Sequence, residues 1–400
     1  MEASPALRVL TLLLVATGIM ACAAAYVGGR LLGPLPGPWR GVAWAAMLLP
    51  TVGWPWLLLL RHQVPGAWAE ASLSVVYIAL GLFSFLFTFT LLRDAAWLGL
   101  AVAGRVAGAI GAGDAPGWEA WLTTAGAWHA PWLRASGLAV VGLAVAASGI
   151  GALQAARPRI AEVTVPVADL APDLDGLCIA QISDLHLGPL TPAGFLERVV
   201  ARVNGRRPDL VAITGDLVEA TVAERGAEVR PLAGLTAPAF FVTGNHEHYW
   251  GANAWCETVA ACGVTVLRGE HRLVRHGNAT LLVAGVDDPA GGDGGRQALP
   301  ASALDGVPTA DFRLLLAHRP TEGYRAAAAG LDLQLSGHTH GGQFFPWTLV
   351  VNRLMPFSPG LRRYGQTWIY TSRGTGFWGP PVRLGAPAEI TLLTLRRAAS

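Results

Sequence analysis

Long apolar stretches without charge dominate the first part of the chain, and short apolar runs separated by polar turns follow them. Four of the long stretches contain 20 to 22 residues each: 9–29, 41–60, 71–92 and 135–156. A bilayer core about 30 Å thick needs about 20 apolar residues of helix to cross it. The pattern therefore predicts four transmembrane helices in an all-α region that covers residues 1–156.

A fifth stretch, 95–113, is interrupted by Arg105 and diluted by glycine and alanine. It predicts an interfacial or re-entrant helix rather than another span. A signal peptide is an alternative for 9–29, although three more apolar stretches follow it. A buried soluble helical domain is an alternative for the whole region, although the polar faces of such a domain are missing. With four spans and the N-terminus inside, four arginines fall inside and five outside, so the positive-inside rule does not determine the membrane orientation.

From residue 157 onward the pattern becomes that of a layered domain. A polar, proline-containing linker with an edge strand, 157–176, precedes two stretches with helical periodicity, 195–206 and 254–262. Strand-like runs occur at 177–182, 210–213, 239–242, 280–286, 313–316, 331–335, 367–371 and 389–395. The alternation predicts an α/β domain over 177–400, in which sheets lie between helices and ligands collect where the strands end.

Composition supports this division into a membrane part and a water-facing part. The chain is 52% hydrophobic and 14% charged, and only twelve of its 56 charged residues precede residue 152. The net charge of +2 and the lack of an arginine block predict no nucleic-acid partner. The four cysteines form no C-x-x-C pair, which disfavours a thiolate zinc site and predicts free thiols.

Metal-type ligands follow five of the strand-like runs. Each segment alone fits an ordinary turn, but five strand ends in order fit one polynuclear site better than five coincidences. Their two Asp, one Asn and four His suit Mn, Fe or Zn rather than Ca²⁺. Seven ligands are too many for one catalytic ion, so the pattern predicts two divalent metal ions. The candidate ligands are Asp184, His186, Asp216, Asn245, His318, His338 and His340.

The order D-x-H, G-D, G-N-H-E, H and G-H-x-H resembles the calcineurin-like metallophosphoesterases, and most of all the YkuE-type branch with its transmembrane relatives. The resemblance covers about 177–395 and implies a sandwich of two mixed β-sheets flanked by helices. It also implies the distribution of the ligands. Asp184, His186 and His340 would hold one ion, Asp216 would bridge, and the other ion would be held by Asn245, His318 and His338.

The same resemblance implies the roles of two further residues. His246 would protonate the departing alkoxide or stabilise its charge, and Glu247 would orient the His246 imidazole. The expected mechanism is attack of a metal-bridging hydroxide on phosphorus, opposite the leaving oxygen. Arg319 is a secondary candidate for a phosphate contact, with a solvated loop residue as the alternative. Phe377 and Trp378 form either an apolar lip that faces the bilayer or a packed turn.

The predicted function is a membrane-anchored, metal-dependent phosphoric ester hydrolase that cleaves phosphodiester or pyrophosphate bonds, with a phosphoester substrate that is lipid-linked or soluble. A hydrolase of the UDP-2,3-diacylglucosamine pyrophosphate type, acting in lipid A synthesis, is one alternative. A non-catalytic membrane sensor or transport protein with a metal-binding domain is the other. We expect an integral protein of the bacterial cell membrane. The side of the catalytic domain and the oligomeric state stay open.

Overall fold

A computed structural model of the chain describes residues 5–33, 35–60, 66–109, 131–291 and 309–398. The chain divides into two compact units. The first contains Met1–Ile150 with Gly379–Pro381, and the second contains Gly151–Trp378 with Val382–Ser400.

The described part of the first unit is helical. Three helices are long and apolar enough to cross a membrane, within Leu10–Leu31, Trp68–Ala103 and Arg134–Ala156. They coincide with three of the four predicted spans. The helices of this region are α1 (Pro5–Leu31), α2 (Gly37–Leu60), α3 (Ala67–Ala109) and α4 (Pro131–Ala156).

Two predicted segments of this region differ from the observed helices. The stretch 41–60 lies in α2, but α2 is not one of the three, and its last five side chains fall outside the described residues. Residues 95–109 continue α3 without a break, so no separate helix begins at residue 95, and the interfacial or re-entrant position of this stretch stays a prediction. The helix continues because alanine and leucine favour helix and each glycine costs only about 1 kcal/mol. Residues 110–113 lie outside the described part.

The second unit contains two mixed six-stranded sheets, as the resemblance implied. Sheet 1 has the order β1-β12-β2-β3-β4-β5, and sheet 2 has the order β10-β11-β9-β8-β7-β6. The strands of sheet 1 are β1 (Arg159–Val167), β2 (Cys178–Ile182), β3 (Leu210–Thr214), β4 (Ala239–Val242), β5 (Thr265–Val266) and β12 (Glu389–Arg397). Those of sheet 2 are β6 (Glu270–His276), β7 (Ala279–Gly285), β8 (Phe312–Leu316), β9 (Leu333–Ser336), β10 (Gly360–Tyr364) and β11 (Thr367–Thr371).

The main core of the unit lies between the two sheets. Alternate residues of the central strands face it, so that Ile179 packs between the sheets while its neighbour Ala180 faces the helices outside. Because β3 and β4 are buried on both faces, they read as nearly continuous apolar runs, and β2 adds one buried polar residue, Gln181. The helices of the unit are α5 (Phe195–Asn204), α6 (Val222–Arg225), α7 (Asn245–Trp250), α8 (Ala252–Ala261), α9 (Gly323–Ala328) and α10 (Trp347–Leu354).

All eight strand-like runs of the sequence form strands, with ends that shift by one or two residues. The edge strand expected in the linker is β1, which lies at one border of sheet 1. The sequence pattern missed the two-residue strand β5 at one edge of sheet 1. It also missed β6 and β10, the two edge strands of sheet 2. Both carry exposed, charged residues, as edge strands commonly do, so they lack an apolar run that would reveal them.

We expect Phe241→Ala to destabilise the second unit by about 3–5 kcal/mol, because its fully buried ring packs between sheet 1 and the outer helices. For a unit of this size the unfolding midpoint would fall by roughly 6–20 °C. The reaction of the buried Cys256 thiol with a maleimide dye on heating reports unfolding of this core. The matched control is Leu273→Ala on exposed β6. Equal midpoints for the two variants would contradict the assignment of Phe241 to the core.

Candidate metal centre

The candidate ligands lie in loops that follow β2, β3, β4, β8 and β9. The first three strands are parallel neighbours in sheet 1, and the last two are parallel neighbours in sheet 2. Hydrogen bonds join the ends of the two sheets: Gln181 Nε2 donates to Ser336 O (2.9 Å), and the His338 backbone N–H donates to Asp184 Oδ1 (2.8 Å). The ligand loops of both sheets therefore meet at one end of the sandwich.

Five of the seven candidate ligands have a left-handed backbone. Their φ angles lie between 46° and 69°, in a region that non-glycine residues rarely adopt. Backbone hydrogen bonds hold two of them there, from Asp184 N to Gly215 O and from His186 N to Asp216 O, both 3.0 Å. Strain of this kind persists where the surrounding structure over-determines it, typically at functional sites. The five residues are Asp184, His186, Asp216, His338 and His340.

Asp184, His186 and His340 form the first group of potential metal ligands. One ligand atom of each lies within 4.8 Å of the others. The two Nε2 atoms of His186 and His340 are 3.0 Å apart, and His340 Nε2 is 3.4 Å from Asp184 Oδ1. Three convergent nitrogen and oxygen atoms from a β2 loop and a β9 loop are a suitable start for one coordination sphere.

Asp216, His318 and His338 form the second group. His318 Nε2 lies 3.1 Å from Asp216 Oδ2 and 3.2 Å from His338 Nδ1. The other ring nitrogen of His318, Nδ1, donates to the Thr214 carbonyl at 2.7 Å, so Nε2 is the ring nitrogen that faces Asp216 and His338. Such a hydrogen bond commonly fixes the tautomer of a metal-binding histidine.

Asp216 borders both groups. Its Oδ2 atom is 3.1 Å from His318 Nε2 and 3.7 Å from His186 Nε2. Burial alone would raise the pKa of Asp216, but the charge and hydrogen bond of His318 hold it well below its usual range. A carboxylate that stays ionised between two groups of imidazoles has the position and charge that a bridging ligand needs.

Two buried oxygen atoms point to a cation in this place. Asp184 Oδ2 and Asn245 Oδ1 accept no hydrogen bond from any described residue. Buried polar atoms in native proteins almost always have a partner. Asn245 is the first residue of α7, and the next backbone N–H, that of His246, donates to Asp216 Oδ1 at 2.9 Å. The donor set and its unpartnered oxygens therefore fit divalent metal ions.

His246 lies beside a carboxylate that the sequence analysis missed. Glu219 Oε1 is 2.7 Å from His246 Nδ1 and 2.5 Å from His186 Nδ1. Burial alone would lower the pKa of His246, but the hydrogen bond and charge of Glu219 raise it to about 9. Glu219 follows Asp216 by three residues in the segment G-D-L-V-E. The sequence signal that could have identified Glu219 is its position on the same loop as the candidate ligand Asp216.

Glu247 does not orient the His246 imidazole, so that expectation is wrong. Its buried carboxylate accepts three backbone N–H groups instead, from Gly244 (2.6 Å), Leu217 (2.7 Å) and Asp216 (2.9 Å). The side chain turns back because three otherwise unsatisfied donors of the β3 and β4 loops converge on it. Glu247 thus ties two ligand loops together, and Glu219 contacts the imidazole.

The secondary candidates differ in exposure and partners. Arg319 makes a two-pronged ion pair with Asp288, at 2.8 and 3.0 Å, which commits its guanidinium to a carboxylate. Phe377 is buried, whereas Trp378 is 44% exposed with its ring 6.0 Å from that of His246. Tyr249 lies on the same imidazole at 5.3 Å. Phe377 is therefore packed, as in the packed-turn alternative, whereas Trp378 presents an exposed aromatic ring.

Arg383 is a buried cation beside the first group, and it was also missed. Its guanidinium donates to His340 Nδ1 at 2.9 Å, to the His340 carbonyl at 3.1 Å and to the Gly376 carbonyl at 2.9 Å. Burial lowers the pKa of Arg383 to about 10, which still leaves it charged at neutral pH. Contacts to both the ring and the backbone fix the orientation of His340. A lone arginine in a glycine- and proline-rich segment gave no signal in the sequence.

The sequence around this site is similar to that of known proteins. The family model of the calcineurin-like phosphoesterases matches residues 178–342, which include all seven candidate ligands. An uncharacterized metallophosphoesterase of Aquifex aeolicus is 33% identical over 244 residues, which cover 60% of this chain and 92% of that protein. The chain belongs to the calcineurin-like phosphoesterase family. Its membership implies a phosphoester hydrolase.

Two other metallophosphoesterases match a comparable share of this chain at comparable identity. The metallophosphoesterase YkuE of Bacillus subtilis is 30% identical over 65% of this chain and 94% of its own length. A transmembrane protein with a metallophosphoesterase domain from Danio rerio is 34% identical over 62% of this chain, and the match spans 60% of that protein. Together with the three candidate spans, such transmembrane relatives indicate a membrane protein.

We expect Glu247→Gln to act on stability first. The substitution removes the charge and turns an amide N–H toward backbone donors, so about 2 kcal/mol or more should be lost. The midpoint of Cys256 thiol exposure on heating measures this loss. The control is Glu257→Gln at an exposed position of α8. Unchanged stability with a changed pH profile of hydrolysis would instead support an orienting role for Glu247.

Proposed function

We propose that this chain is a membrane-anchored phosphoesterase that hydrolyses phosphodiester or pyrophosphate bonds at a centre of two divalent metal ions. The observation that carries the proposal is the pair of ligand groups that meet at Asp216. Asp216 Oδ2 lies 3.7 Å from Nε2 of His186 in the first group and 3.1 Å from Nε2 of His318 in the second. Two adjacent ions suit an in-line displacement at phosphorus, because both the entering and the leaving oxygen need charge stabilisation.

The proposed assignment keeps the first group together, places Asp216 between the ions and adds Asn245, which belongs to neither group. The first group would hold one ion, while Asn245, His318 and His338 would hold the other, with Asp216 between them. Their nitrogen and oxygen donors suit Mn, Fe or Zn. When bound, such ions supply positive charge beside the phosphoryl oxygens and lower the pKa of water.

His246 is the proposed proton donor to the leaving oxygen. Its Nδ1 faces Glu219 at 2.7 Å, so Nε2 is the nitrogen available to a substrate. With a pKa of about 9 the imidazole is protonated on both nitrogens at neutral pH. Glu219 would keep the ring in position and stabilise its positive charge before the proton leaves Nε2.

The number of bound ions tests the proposed metal centre directly. After chelation and reloading with Mn²⁺, the purified full-length chain should retain two ions per molecule by elemental analysis. His340→Ala should retain about one, because it removes a ligand of the first group only. His271→Ala on β6, outside both groups, is the matched control and should retain two. A single ion in the unaltered protein would contradict the dinuclear centre.

The leaving-group dependence tests the role of His246. We expect the Mn²⁺-loaded protein to cleave bis(4-nitrophenyl) phosphate faster than 4-nitrophenyl phosphate. His246→Ala should slow an alkyl phosphodiester by about 10²–10⁴-fold, because an alkoxide needs a proton to depart. The loss should be smaller with a 4-nitrophenyl ester, whose phenolate leaves unaided.

His271→Ala is again the control and should leave both rates unchanged. Equal losses for alkyl and aryl esters in His246→Ala would rule out proton donation by this residue. Turnover of the monoester alone would replace the phosphodiesterase proposal with a phosphatase. Two bound ions without turnover of either ester would favour a sensor.

A further inference from the structure

The helix α10 exposes an unusual number of apolar side chains. Leu354 is 73% exposed and Leu349 is 63% exposed, and Trp347, Val350 and Met355 are exposed as well. Eleven large apolar side chains of the second unit are exposed among the described residues, and these five lie within nine consecutive positions. An apolar patch this concentrated on a soluble surface usually marks a contact with another molecule or with a membrane.

The surface around α10 is also basic. Arg353 on α10 and Arg362 and Arg363 on β10 are exposed, and residues 347–366 contain no Asp or Glu. The patch ends in an aromatic cluster, where Phe357 lies 4.9 Å from the Tyr324 ring and 5.9 Å from the Tyr364 ring. Arginine with exposed Trp, Leu and Tyr is the composition of a surface that binds the interface of an anionic bilayer.

Contacts within the second unit connect this surface to the end of a candidate membrane helix. Gly151 belongs to the second unit and lies five residues, about 7.5 Å, before the end of α4. Its carbonyl accepts the backbone N–H of Arg383 at 3.0 Å. The next residue, Leu384, accepts the backbone N–H of Phe345 at 2.8 Å, two residues before α10 begins.

The chain between α4 and the first strand is short as well. Only residues 157 and 158 separate Ala156 from β1, a reach of about 7 Å when extended. The last residues of α4, 151–156, which belong to the second unit, therefore lie close to the chain that enters α10. This closeness favours lipid over a soluble partner as the occupant of the apolar patch.

We propose that α10 and the turn that leads to β10 lie in the interface of an anionic bilayer. The leucines, Val350 and Trp347 enter the level of the headgroups and upper acyl chains, while Arg353, Arg362 and Arg363 contact lipid phosphates. This proposal does not depend on the proposed catalytic activity, because membrane contact by α10 requires no turnover.

The test uses the full-length chain in vesicles that contain phosphatidylglycerol. Leu349→Cys and Leu354→Cys are introduced one at a time into the Cys22→Ala variant and labelled with an environment-sensitive fluorophore. The Cys22→Ala variant without an added cysteine is labelled in parallel, and its signal corrects for the remaining thiols. Lipids with a nitroxide near the headgroup should quench both labels. Ala260→Cys on α8 is the control and should stay unquenched, because α8 leads into β5, at the edge of sheet 1 opposite β1.

A charge reversal tests the electrostatic part. Arg353→Glu combined with Arg362→Glu and Arg363→Glu should remove most of the quenching at Leu354→Cys. Arg272→Glu on β6, the opposite edge strand of sheet 2, should leave it unchanged. Unquenched labels at Leu349→Cys and Leu354→Cys would overturn the proposal. Cross-links between two chains through Leu354→Cys that form equally with and without lipid would also overturn the proposal, because they would assign the surface to a second copy of the chain.

Discussion

The second unit depends on the burial of many ionisable groups in one place. Asp184, Asp216, Glu247 and the rings of His186 and His318 have almost no contact with water, and an unpaired buried charge costs several kcal/mol. The fold meets this cost by aiming backbone donors and ring nitrogens at these carboxylates, and it leaves Asp184 Oδ2 without a hydrogen-bond partner where a cation would fit. Positioning these groups requires two sheets whose strands end at the same edge.

Residues behind the ligands perform much of this positioning. Glu247 joins the loops after β3 and β4 through three backbone N–H groups, and Arg383 holds the ring and carbonyl of His340. Both are buried charges that make their hydrogen bonds to protein groups. Glu219 differs because it contacts the His246 and His186 rings at once, so it couples the proposed proton donor to a proposed metal ligand. Loss of any of the three would disturb geometry before it changed the ligand set.

The sequence predicted the central strands and the candidate ligands because both have strong local signals. Strands buried on both faces, such as β3, read as continuous apolar runs, and ligand residues follow them directly. The roles of Glu219, Glu247 and Arg383 depend on contacts between residues that lie 3 to 43 positions apart. Periodicity carries no information about such contacts. The edge strand β6 escaped notice for the opposite reason, since its alternating charged residues look like a loop.

The proposed membrane-contacting helix α10 and the candidate metal centre share one continuous segment. His340 begins the short turn His340–Gly342, and α10 starts five residues later at Trp347. Gln343, between them, pairs with both the N–H and the carbonyl of Trp378, at 2.8 Å each, and so joins this segment to the aromatic side chain beside His246. The exposed Trp378 and Tyr249 rings lie beside the His246 ring, so they border the proposed leaving-group side of the centre. If α10 lies in the lipid interface, an apolar leaving group held in the bilayer would suit this position better than a highly charged soluble leaving group. The apolar group need not lose a hydration shell to reach the two exposed rings.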